Sequence, residues 1–143
     1  MLNDKVILTP IERIKIEGGD VIKNIKAGDL GYKNFKETYY SFINFGKKKG
    51  WKKHKEMTLN YAVIYGSIKC VLFDDRPNSK TCGLVEEYFL SPENYVLITV
   101  PPYVWNGWKG IGNETSIVAN CSTMPHDLNE IERKLATDES IPY

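Results

Sequence analysis

Strand-sized runs of β-branched and aromatic residues recur along almost the whole chain, and this is the feature that most narrows what it can fold into. "KVILT", "RIKIE", "DVIKNIK", "YYSFINF", "NYAVIYG", "IKCVLF", "GLVEEYFL", "YVLITV" and "SIVANCS" are each rich in Val, Ile, Tyr or Phe. Side chains of this shape fit a pleated, half-buried surface. Turn residues separate the runs in "EGGD", "AGDLG", "FGKKKG", "DDRPNS", "SPEN", "PPY" and "KGIGNE". There Gly supplies positive φ and Pro sets a turn. In "GSIKCVLF" the residues alternate, with Ile68, Cys70 and Leu72 opposite Lys69, Val71 and Phe73. Short strands without intervening helices predict an antiparallel sandwich or barrel.

One stretch departs from this pattern. In "MPHDLNEIERKLATDES", Leu128, Ile131 and Leu135 share a helical face, Asp127 suits an N-cap, and Glu130 follows three residues later. The spacing predicts a short C-terminal helix, with His126 in a local turn contact before it. With 143 residues and no repeat, linker or low-complexity tract, residues 1–143 read as a single domain.

Charge and cysteine content exclude several functions. Lys and Arg number 19 against 18 Asp and Glu, a net charge of +1, so bulk electrostatics do not favour nucleic acid. The basic cluster Lys47, Lys48, Lys49, Lys52, Lys53 and Lys55 could still attract a small anion. Cys70, Cys82 and Cys121 are odd in number and form no CxxC, which fits free thiols in a reducing cytoplasm. No run approaches the ~20 apolar residues of a membrane span, and "MLNDKVILTP" lacks the apolar core of a signal peptide. The expectation is a soluble, cytoplasmic protein.

Metal chemistry is disfavoured, because a site needs several convergent ligands. The two histidines, His54 and His126, are far apart, and Lys53 and Lys55 flank the first. "GWKGIG" lacks phosphate-loop spacing, no GxSxG elbow occurs, and the tryptophans and tyrosines accompany no RNA-binding motif.

Five motifs in order carry a resemblance: "KGWKKHKEMTLN", "DDRPNSKTCG", "NYVLITVPPYVWNGWKG", "HDLNE" and the terminal "IPY". Together they resemble the deoxythymidine-diphosphate-4-dehydrorhamnose 3,5-epimerase family, a short branch of it within the cupin superfamily. The match runs from about Gly19 to Tyr143 and includes Asp74 or Asp75, Arg76, Ser79, Thr81 and Gly83 in a D-x-R-x-x-S-x-T-x-G pattern. The resemblance implies an all-β antiparallel cupin jelly-roll barrel, here with a short C-terminal helix, usually as a homodimer. It implies a nucleotide-diphosphate 4-keto sugar in the barrel mouth, no metal and no cofactor.

Several positions depart from the family pattern. The family's Arg-Gly-Leu-His carries the base; counting from Gly50, Lys52 stands at the histidine and Lys49 at the arginine. A second family histidine corresponds to Asn106, the family's acid tyrosine falls near Asn120, and the aspartate that partners the base has a loose counterpart in Asp138.

Epimerisation beside a ketone needs a base titrating near neutrality, a group that stabilises the enolate oxygen, and an acid on the other face. His54 has a suitable ordinary pKa, and the adjacent lysines are expected to lower it. Lys52, two residues away on an extended strand, shares its face, and Thr58 and Asn60 are expected to join it. Lys52 is the alternative base if burial lowers its pKa. The catalytic candidates are therefore His54, Lys52 and Asp138. The substrate-binding candidates are Lys49, Asn60, Arg76, Tyr103 and Asn106, with Arg76 open to an alternative structural pairing with Asp74 or Asp75. The expected function is epimerisation or isomerisation of a 4-keto deoxysugar nucleotide for cell-surface polysaccharide. The alternatives are 3,4-ketoisomerisation, single-centre epimerisation, or sugar-nucleotide binding without catalysis.

Overall fold

The computed structural model describes residues 6–125, 127–138 and 141. Twelve strands follow one another: β1 (Ile7–Pro10), β2 (Arg13–Ile14), β3 (Val21–Ile22), β4 (Glu37–Ile43), β5 (Lys48–His54), β6 (Leu59–Tyr65), β7 (Ile68–Asp74), β8 (Val85–Leu90), β9 (Val96–Val100), β10 (Val104–Gly110), β11 (Ser116–Ser122) and β12 (Ile131–Lys134). Ten of them form two five-stranded sheets, ordered β1-β9-β6-β11-β4 and β12-β5-β10-β7-β8, while β2 and β3 pair separately. Every ladder between these strands is antiparallel. The architecture is cupin-like, but the two sheets keep separate edges and do not close into a barrel.

Alternation along the strands builds three apolar layers. Leu59, Tyr61, Val63, Ile98, Val100 and Val118 from the first sheet meet Ile68, Cys70, Leu72, Val104 and Trp108 from the second. The expected inward set Ile68, Cys70 and Leu72 is thus in the central core. Their neighbours Val71 and Phe73 pack outward with Trp51 and Trp105, against Ile141. On the outer face of the first sheet, Ala62 and Leu97 are covered by Ile11, Ile22 and Ile25 of the N-terminal segment. Both sheets are therefore apolar on two sides, as continuous Val- and Ile-rich runs require.

The predicted C-terminal helix is replaced by a 3₁₀ turn, Leu128–Glu130, followed by strand β12. Asp127 does cap that turn, accepting a hydrogen bond from the Asn129 amide at 2.9 Å. Leu128 and Leu135, two of the three residues of the supposed apolar face, are 68% and 77% exposed. A helix there would have no apolar face to bury, whereas an extended segment satisfies its backbone on the edge of β5. β10 also forms where the sequence analysis placed no strand, from just after the turn residues "PPY" to the start of "KGIGNE". His126 and the terminal Pro142 and Tyr143 lie outside the described residues.

Candidate active site

Between the sheets, near the edges formed by β4 and β12, the inward side chains change from apolar to polar. Tyr39, Ser41, Lys49, Gly50, Lys52, His54, Leu59, Tyr61, Asn106, Gly107, Trp108, Asn120 and Ile131 line a cavity there with about 520 Å³ of open space, part of it continuous with solvent. Trp108 and Tyr61 form its apolar floor, edge to face at 4.9 Å between ring centres.

β5 brings the basic residues to this wall. Its ladder with β10 pairs Asn106 with Lys52 but Trp108 with Lys49, so one extra residue is accommodated between them. This bulge resets the alternation, and Lys49 and Lys52 both reach the cavity while Trp51 points outward. Gly50 permits a close approach of the chain after β12: a Cβ there would lie 2.7 Å from the Lys134 carbonyl oxygen.

His54 ends β5 opposite Ile131. The residue before Ile131 is therefore within reach of the imidazole, and it is Glu130. Its Oε1 accepts a short hydrogen bond from His54 Nδ1, and both side chains are almost fully buried. Oε2 accepts three backbone amides, from Lys55, Glu56 and Met57, at 3.1, 3.2 and 3.3 Å. Burial alone would raise the Glu130 pKa, but the His54 hydrogen bond and the Glu56 and Met57 amides outweigh it and hold the carboxyl below its usual range. An ionised carboxylate can only accept, so Nδ1 carries the proton and Nε2 is the basic nitrogen. The charge in contact with the imidazole is thus Glu130. The flanking Lys53 is turned to the other face, where it pairs with Asp75 and Glu132.

The opposite wall is built from the first sheet. Tyr39 on β4 faces Asn120 on β11, and Asn120 Nδ2 donates to the phenol oxygen at 2.7 Å. Asn120 is itself held by the Asn60 amide, which donates to Oδ1 at 3.0 Å. Burial pushes the Tyr39 pKa up, with a smaller contribution from Glu37 and Glu130, so the phenol stays protonated. Lys52 is pushed the other way, by burial first and then by Arg133 and Lys49.

Four sequence candidates therefore share one cavity: His54, Lys52, Lys49 and Asn106, the last donating to the Lys52 carbonyl at 3.0 Å. The others lie elsewhere. Asn60 and Thr58 do not join the His54 face, because the chain turns through residues 55–58 before β6 begins. Asn60 instead accepts from Thr99 at 2.7 Å and donates to the Cys121 carbonyl. Arg76 forms a two-pronged pair with Asp74, at 2.8 Å through both Nε and Nη2, which is its alternative reading. Asp138 sits in the turn after β12, its amide bonded to the Leu135 carbonyl, and the carboxylate beside the imidazole is Glu130. Tyr103 is outside the cavity lining, half exposed, with φ of 65° and its amide on the His54 carbonyl at 2.7 Å.

Tyr39 and Glu130 were missed. The available signals were "HDLNE", quoted for the resemblance but read as a helix start, and the inward parity of Tyr39 within "YYSFINF". Among the described residues no group of three or more His, Cys, Asp or Glu is disposed to hold a metal ion.

No family model matches the chain. Among solved structures, a dTDP sugar isomerase from Desulfovibrio desulfuricans G20 superposes with a TM-score of 0.93 at 35% identity, over 98% of this chain and 90% of that one. The RmlC 3,5-epimerase of Legionella pneumophila, solved with dTDP-4-keto-L-rhamnose, has the same fold, with a TM-score of 0.85 at 19% identity over 96% of this chain and 77% of that one. Among curated proteins, the probable low-salt glycan biosynthesis epimerase Agl13 of Haloferax volcanii is 32% identical over 107 residues, 74% of this chain and 65% of that protein. The fold and cavity are those of a cupin-like antiparallel β protein. At the identity and coverage of the Desulfovibrio match, the chain belongs to the RmlC-like dTDP-sugar epimerase/isomerase superfamily. It spans 65% and 53% of the length of the two curated relatives it matches.

Proposed function

We propose that this protein is a metal-independent epimerase or isomerase of a nucleotide-diphosphate 4-keto deoxysugar, working in polysaccharide biosynthesis as a cytoplasmic homodimer. The observation that carries the reading is the buried His54–Glu130 pair opening onto a cavity whose opposite wall holds a protonated phenol. A ketone at C4 acidifies the protons on C3 and C5. His54 Nε2 removes one as a proton, and the electron pair moves onto the C4 oxygen as an enolate. Glu130 holds the ring in the required tautomer and stabilises the imidazolium that forms. Lys52, with Asn106 beside it, is placed to stabilise the enolate oxygen electrostatically. Tyr39, on the other sheet, returns a proton to the opposite face of the carbon, which inverts it.

The test is solvent-deuterium exchange into a dTDP-4-keto-6-deoxy sugar, followed by NMR. Deuterium at C3, at C5 or at both distinguishes single-centre from double epimerisation, and a carbonyl moved to C3 identifies a ketoisomerase. No exchange and no carbonyl migration with any such sugar would leave a sugar-nucleotide binding protein without catalysis.

A further inference from the structure

We infer that Asn120 is a positioning residue that turns the Tyr39 phenol so that its proton is given to the cavity. The inference rests on the epimerase reading above. Asn120 lies on β11 between two tyrosines, opposite Tyr39 of β4 and Tyr61 of β6, and all three line the cavity. A carboxamide donates at nitrogen and accepts at oxygen, and here its two ends are not interchangeable. Oδ1 takes the backbone N–H of Asn60 at 3.0 Å, a group that can only donate. Nδ2 is therefore the end that meets Tyr39, 2.7 Å from the phenol oxygen.

The amide is fixed in place as well as in sense. Asn120 is buried, and its backbone carbonyl accepts from Thr38 Oγ1 at 3.1 Å. Asn60, whose N–H sets the amide, is held from the outer face of the sheet. Its side chain accepts from Thr99 and donates to the Cys121 carbonyl. Gly31 packs so closely there that a Cβ would lie 2.0 Å from Thr99 Oγ1.

A phenol has one proton. With a donor on the β11 side, that proton cannot be given to Asn120, and the O–H is turned away from β11. The same N–H opposes the upward push of burial on the Tyr39 pKa, because a donor favours phenolate over phenol. In turnover the enolate electron pair takes the Tyr39 proton to form the new C–H bond, and the C4 carbonyl re-forms. The phenolate left behind keeps the Asn120 N–H until a solvent proton replaces the one given. A hydrogen bond that strengthens as charge develops assists the proton transfer itself.

Asn120→Asp tests this, because it keeps an acceptor for Asn60 and sets against Tyr39 an oxygen that takes the phenol proton. Asn120→Ser removes the donor without adding charge, and carries the test if the aspartate variant does not fold. With a dTDP-4-keto-6-deoxy sugar, both are expected to invert about tenfold or more slowly, while KM and label washout by the base stay within about twofold. Ultraviolet resonance Raman spectra of the free protein read the phenol directly, with Tyr39 isolated by subtracting the same chain carrying Tyr39→Phe. Its tyrosine doublet should change from the acceptor to the donor pattern in Asn120→Asp. An unchanged doublet, or washout and inversion falling together, overturns the assignment. The Raman measurement needs no substrate, so the two proposals fail separately. A changed doublet in a protein that exchanges no label sinks the epimerase reading alone, and inversion indifferent to both Asn120 variants sinks the positioning role alone.

Discussion

An imidazole gripped at Nδ1 by a buried carboxylate is a different reagent from one in water, because its tautomer and ring plane are set before substrate arrives. His54→Ala is accordingly expected to abolish deuterium exchange, by about 10²–10⁴-fold or more in rate, in a protein that still melts cooperatively. Glu130→Gln cannot hold the Nδ1 proton as a carboxylate does and no longer offers a charge to three amides. It is expected to lower both kcat and melting temperature, which separates it from a purely catalytic loss. Tyr39→Phe keeps the ring and removes the proton. If Tyr39 is the acid, washout of label from carbon by the base persists while net inversion falls. Loss of exchange and inversion in equal measure would instead point to substrate binding.

Among the elements, β12 and the loop after β7 have the most to say. β12 binds the edge of β5, and close packing at Gly50 lets the following chain turn over it. Gly50→Ala would drive a methyl into backbone, a costlier clash than one with a flexible side chain, and about 1–3 kcal/mol of destabilisation is expected from denaturant unfolding. Because the same shift moves Glu130, exchange activity should fall with it. In the loop, Asp74 is fully buried and accepts from Arg76, Ser79 and Thr81 at 2.6–2.8 Å. Burial would raise its pKa, but these hydrogen bonds prevail and hold the carboxyl far below the usual range. Asp74→Ala strands an arginine and two hydroxyls, a loss on the order of 2–4 kcal/mol, with little direct effect on the cavity. The D-x-R-x-x-S-x-T motif was legible as a motif, but its role is to knot a turn. Spacing alone could not distinguish an arginine that grips its neighbouring aspartate from one that awaits a phosphate.

At the scale of the molecule, two sheets share one central layer, so stability depends on both at once. Ile98→Ala, which deletes a fully buried side chain from that layer, is expected to cost about 2–5 kcal/mol in equilibrium unfolding. Acid sensitivity follows from Asp74 and Glu130, whose carboxyls are both lowered in the folded protein. Such groups stabilise fully above their unfolded pKa values, about 3.9 and 4.3, and that stabilisation is lost as pH falls through the folded ones. Melting temperature should therefore change little between pH 7 and about 5 on their account, and decline below about 4. Sedimentation velocity tests the proposed homodimer, and β4 is a natural surface to examine, since this edge strand exposes Tyr40 and Phe42.

What the sequence by itself determined is the layered β architecture, because period-two alternation and glycine or proline turns are local properties, and the inward set Ile68, Cys70 and Leu72 follows from them. It also placed His54 and Lys52 on one strand face, two residues apart. Tertiary structure decided what those side chains meet. The carboxylate on His54 comes from position 130 and the phenol across the cavity from position 39, and each is delivered by strand pairing between segments distant in the chain. Pairing partners depend on which backbone edge is left unsatisfied and which apolar face is left uncovered, and neither can be read from a window of neighbouring residues. For the same reason "DLNEIERKL", helical by its spacing, is extended here: an open edge on β5 offered its backbone more than a helix without an apolar face could.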